Sequence, residues 1–116
     1  MSVELPPQVQ NMVAQLQQIQ QQLQVVVAQK AQVDAGLKEA EMALEELKKK
    51  EDTTVYKTVG NILVKTSKEE MLKELEEKKE TLEIRIKTLQ RQEEKLRERF
   101  VELQKKIQSM LGPQAG

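Results

Sequence analysis

The 116 residues hold 19 Lys and Arg against 19 Asp and Glu, a net charge of zero, with one Phe, one Tyr, no Trp and no Cys. Zero net charge, with both signs interspersed from Lys30 on, argues against nucleic acid as the main partner, since phosphate binding needs a basic surface. Without Cys there are no disulfides and no thiolate chemistry, which fits a reducing cytoplasm, while one third charged residues and so few aromatics point to long helices rather than a compact globular core.

The N-terminus, "MSVELPP", has no basic stretch followed by an apolar run, so no signal peptide is expected. From Leu5 to Gln29 the chain carries no charge at all. The stretch after Pro6 and Pro7 fits a helix start, since these two precede it where missing N–H groups cost little. Positions 9, 12, 16, 19, 23, 26, 30, 33, 37, 40, 44 and 47 are apolar except Lys30, in unbroken alternating steps of three and four. This is the a/d seam of a coiled coil. The longest apolar run, Val25–Ala28, is far too short to span a membrane, so no membrane partner is expected.

Next comes "VYKTVGNILVKT", Val55–Thr66, β-branched and alternating around Gly60-Asn61. A two-residue turn with Gly first suits a type II′ hairpin. It pairs Val59 with Ile62 and, outward, Val55 with Thr66. One face then carries Val55, Val59, Ile62 and Val64, and the other Tyr56 and Leu63. A lone two-stranded hairpin is marginal in water and leaves two open edges. Other subunits are expected to cover it, in a sheet or barrel closed between chains, which makes these six residues the candidate oligomer interface.

A second seam follows at 72, 75, 79, 82, 86, 89, 93, 96, 100, 103, 107 and 110, apolar except Lys79 and Glu93. Ser67 suits its N-cap, with Glu70 as capping-box partner, and Gly112-Pro113 suits its end. Matched from the outside in, 9 with 110 and 12 with 107 through to 47 with 72, every a position meets a d position without a slip. An antiparallel helix pair explains this. Each seam covers about 39 residues, or about 58 Å at about 1.5 Å per residue. In this register Lys30 and Glu93 are diagonal neighbours, placed for an ion pair, and Lys79 faces the small Ala40. The expected layout is one domain: helix over 1–50, hairpin over 51–66, helix over 67–111 and a flexible tail over 112–116.

Helix, single β-hairpin, helix in this order resembles a prefoldin subunit of the archaeal β class. The stretches that carry the likeness are "LPPQVQNMVAQLQQIQQQLQ", "ALEEL", "VYKTVGNILVK" and "TLEIRIKTLQRQEEKL", and together they span nearly the whole chain. The resemblance implies a mainly α fold whose hairpins build an intersubunit β-barrel. It implies a hexamer of two α and four β subunits, so a prefoldin α subunit as partner. It also implies an ATP-independent holdase that binds unfolded client proteins at coiled-coil tips and delivers them to a group II chaperonin. In this chain the tip is where the termini meet, and the candidate client-binding residues are Leu5, Val9, Met12, Val13, Ile107, Met110 and Leu111. Terminal turns fray, Met adapts to many shapes, and a neutral Gln-rich surface is cheaper to desolvate than Lys or Glu. Plain seam packing explains Val9, Met12, Ile107 and Met110 equally well.

Enzymatic readings find no support: there is no His, no Cys and no Gly-rich phosphate loop. Acidic pairs such as Glu69-Glu70 read as solvated helix faces, and no metal or other cofactor is expected. The competing reading is a passive coiled-coil spacer that oligomerises through its hairpin. A DNA-binding zipper would need a basic extension beside the seam, and "MSVELPPQ" is not one.

Overall fold

A computed structural model describes residues 4–51 and 54–112 of the chain. Helix α1 spans Pro7–Lys49, strands β1 and β2 span Thr54–Val59 and Ile62–Ser67, and helix α2 spans Lys68–Leu111. The expected tail beyond Gly112 lies outside the described residues.

Each helix end has a local cause. Pro7 takes the first helical position, where its lack of an N–H costs nothing, and the Gln10 N–H closes the first turn on the Pro6 carbonyl at 3.0 Å. The last turn of α1 carries Lys48 and Lys49, cations that complement the negative end of the helix dipole. Lys68 also donates its ammonium to the Lys50 carbonyl just beyond that end. At the start of α2 the Ser67 Oγ accepts the Glu70 N–H at 3.1 Å, so the N-cap forms. The reciprocal half of the capping box is replaced: the Glu70 carboxylate accepts the Thr66 hydroxyl at 3.0 Å instead, which binds the end of β2 to the helix. Glu69 and Glu70 add negative charge to the first turn. At the far end Gly112 turns left-handed, φ +77°, and its N–H returns to the Gln108 carbonyl at 3.1 Å, the hydrogen bond of an αL cap.

The described residues fall into two compact units, one made of the stretches up to Lys30 and from Leu89, the other of Ala31–Thr88. In the first, the Lys30 ammonium reaches the Glu93 carboxylate at 3.2 Å. Residues 15–22 share a groove with 99–106, and residues 18–26 share one with 92–99, so the helices run antiparallel. In the second, a β-carbon on Gly36 would touch Leu82 Cδ1 at 3.6 Å, and Lys48 meets Glu76 at 3.7 Å, which is again antiparallel.

Burial follows the seams. The buried apolar residues are Val9, Val26 and Leu89 in the first unit and Ala40, Leu44 and Leu75 in the second, and all six are a/d positions. Of the remaining seam residues only Met110 is exposed. Lys79 is half-buried and Ala40 buried, in keeping with a stem that leaves past a small side chain. A two-helix seam encloses few side chains completely. At about 1.5–3 kcal/mol per fully buried aliphatic residue, its stability accumulates along its length, and both flanks remain open to solvent.

Candidate interaction surfaces

The hairpin lies in the Ala31–Thr88 unit. Its register is Val59↔Ile62, Thr58↔Leu63, Lys57↔Val64, Tyr56↔Lys65, Val55↔Thr66 and Thr54↔Ser67. Gly60 takes φ +60° and Asn61 stays at negative φ, as a type II′ turn requires. The sheet has these two strands alone among the described residues, so each strand keeps one open edge.

The chain covers part of one hairpin face itself. Val55, Lys57, Val64 and Thr66 are half-buried. Lys57 Nζ bonds the Glu74 carboxylate at 2.9 Å, and Thr66 bonds Glu70, so this end of the face is fastened to α2. Val55 and Val64 are therefore sheltered in part by their own chain. What remains open is the turn end, with Val59 at 49% and Ile62 at 62% exposure, and the opposite face, with Tyr56 at 64% and Leu63 at 72%. Tyr56 and Leu63 are diagonal neighbours on that face. Where the hairpin meets the helices, Ala43, Leu47, Val55, Tyr56, Met71 and Leu75 line an apolar hollow of about 570 Å³.

The residues near the two termini lie in the other unit, and the structure sorts them. Val9 is completely enclosed, because the seam closes over it. In this arrangement it is a packing residue with no surface to offer a client. Met12, Val13 and Ile107 are half-buried. Leu5 at 38%, Met110 at 42% and Leu111 at 38% are exposed. Leu5 is held by its carbonyl, which accepts the Gln10 side-chain amide at 2.8 Å. Leu111 sits just inside the Gly112 cap. Met110 faces solvent although it occupies a d position, since the seam ends there.

Away from this end, Glu93 is the most densely bonded charge. Arg97 donates Nε at 2.9 Å and Nη2 at 2.8 Å to one oxygen, and Lys30 reaches the other at 3.2 Å. The Arg97 hydrogen bonds first, then that of Lys30, hold its carboxyl below the usual carboxylate range. A carboxylate so satisfied is a structural pin for the register. Among the described residues no group of three His, Cys, Asp or Glu is placed to hold a metal, and no helix is long and apolar enough to cross a membrane.

Sequence reasoning passed over the flanks of the seam beside Val26. Val25 and Val27 are 56% and 42% exposed, and Val101 is 45% exposed. The signal was present: three Val in a row on a helix bury one and leave its two neighbours on opposite flanks.

A family model described as "Prefoldin subunit" matches residues 10–114. The prefoldin subunit beta of Archaeoglobus fulgidus is 72% identical over 114 residues, covering 97% of this chain and 98% of the relative. That of Pyrococcus furiosus is 54% identical over 110 residues, covering 94% of each. Among solved structures, the crystal structure of the prefoldin beta subunit from Thermococcus strain KS-1 superposes with a TM-score of 0.87 at 52% identity, covering 95% of this chain and 97% of that one.

Proposed function

This chain belongs to the prefoldin family, and from that membership we propose that it acts as the β-type subunit of a hexameric cytoplasmic chaperone. Two α-type and four β-type chains assemble through their hairpins into a closed β-barrel. The assembly holds unfolded proteins without ATP, prevents their aggregation and passes them to a group II chaperonin. The observation that carries the assembly is apolar surface the chain cannot cover alone: Tyr56, Val59, Ile62 and Leu63 on a hairpin with two open edges. Shared pairing between chains removes the edges and buries those side chains. Support for the holding role comes from Leu5, Met110 and Leu111, exposed beside a helix stretch without charge. It is a binding role and not an enzymatic one.

The test uses the chain combined with an α-type subunit, its size first fixed by sedimentation. Without nucleotide, the assembly is expected to suppress aggregation of an unrelated protein diluted from denaturant. A spacer that only oligomerises would leave that aggregation unchanged, and such a result would overturn the holding role.

A further inference from the structure

The flank of the helix pair beside Val26 carries a groove of about 620 Å³ between residues 18–26 of α1 and 92–99 of α2. We propose that this groove binds an extended polypeptide segment in which an apolar side chain lies next to an acidic one, so that clients are gripped along the helices as well as at their ends. The inference rests on the holding role and names the kind of segment held.

Three features of the lining each fit one part of such a segment. Val25, buried Val26 and half-buried Leu96 form an apolar floor for one aliphatic or aromatic side chain. Gln18, Gln21 and Gln22 present amides, each able to donate and to accept. They can satisfy the backbone of an extended chain whatever its sequence. The charge on the groove comes from α2 alone, because α1 has none between Leu5 and Gln29. It consists of Lys95 and Arg99, one helical turn apart and on the same face. Neither makes an ion pair among the described residues, whereas neighbouring Arg97 is engaged by Glu93. Glu98 and Glu102 share a shallow hollow with Lys95 and Arg99, and Glu102 and Lys106 line the continuing groove toward Gln15. The lining of the groove beside Val25 holds two cations, Lys95 toward Val25 and Arg99 toward Gln18, and no carboxylate. Gln18 to Val26 spans about 12 Å of helix, room for about four residues of extended chain at about 3.3 Å each.

The test measures binding of ten-residue peptides with a neutral fluorescent label to the assembled full-length protein at low salt. The peptides place Leu two residues from Asp, from Lys or from Asn. The Asp peptide is expected to bind roughly tenfold tighter than the Lys peptide, about what two exposed ion pairs supply, with the Asn peptide between. K95Q/R99Q should bring the three together. Val25→Gln should weaken all three alike, and Lys105→Gln, outside the groove, should change nothing. All these positions are at the surface, and circular dichroism would confirm that each variant remains helical. Equal binding of the Asp and Lys peptides, or a preference that survives K95Q/R99Q, overturns the inference. Aggregation suppression measured on the same samples separates the two ideas: a protein that suppresses aggregation but shows no groove preference keeps the holding role and loses the groove.

Discussion

Two residues test the seam most directly. Glu93 has a lowered pKa because Arg97 and Lys30 favour its charged form. A depressed folded-state pKa stabilises the fold above the ordinary carboxylate value of 4.5, and that contribution is lost as pH falls through the lowered value. Glu93→Gln should therefore melt below the wild type at neutral pH, with the gap closing as pH drops past the ordinary carboxylate range. A gap that stays constant from pH 7 to pH 3 would mean that the charge on Glu93 contributes nothing to stability. Gly36 tests packing in the other unit. It lies within α1, where glycine costs about 1 kcal/mol relative to alanine. A β-carbon there meets only Leu82 Cδ1, at an ordinary 3.6 Å. Gly36→Ala should raise stability by about 0.5–1 kcal/mol, read from chemical denaturation. A loss of stability would show that the seam at Leu82 has no room for a methyl group.

At the scale of the hairpin, exposure defines the experiment. Val59 and Ile62 pair across the turn and contact solvent, whereas Val55 and Val64 are half-covered by their own chain. Replacing Val59 and Ile62 together with Asp should leave helicity nearly unchanged while the high-order oligomer disappears in sedimentation, since charges at these positions cannot be buried between chains without partners. An intact oligomer would place the assembly surface along the helices. Much of this element was legible in advance, because Gly60-Asn61 fixes the turn, the turn fixes the register, and the register fixes the faces. The seams were equally legible, down to the Lys30–Glu93 pair, because heptad spacing is a property of the chain alone. Three features depended on neighbours and so stayed hidden. Lys57 and Thr66 are fastened to α2 by Glu74 and Glu70, which shifts the open apolar surface toward Tyr56 and Leu63. The Glu70 carboxylate prefers the Thr66 hydroxyl to the usual capping-box partner. The grooves beside Val25 and Val27 exist only where two helices leave their flanks uncovered.

For the whole molecule, the proposed holding role requires the residues near the termini to separate into those that hold the helix pair closed and those free to meet a client. Burial makes that division. Val9 is enclosed, so Val9→Gln should cost about 1–3 kcal/mol through an amide buried without partners. Any effect of that change on clients would be indirect. Leu5, Met110 and Leu111 are exposed, and changing all three to Gln should shift stability by no more than about 0.5 kcal/mol each. Each chain offers only a small apolar area there, so at about 25 cal/mol per Å² a single contact is weak. If several copies around one assembly engage the same client, each further contact is intramolecular and the gain multiplies. The triple variant should then lose aggregation suppression far more steeply than its lost area suggests. Assemblies mixing variant and wild-type chains should decline faster than in proportion to the variant fraction. The measurement is light scattering of a denatured client with assemblies of confirmed size. A triple variant that protects as well as the wild type would remove these three residues from client capture and leave the flanking grooves as the surface to test next.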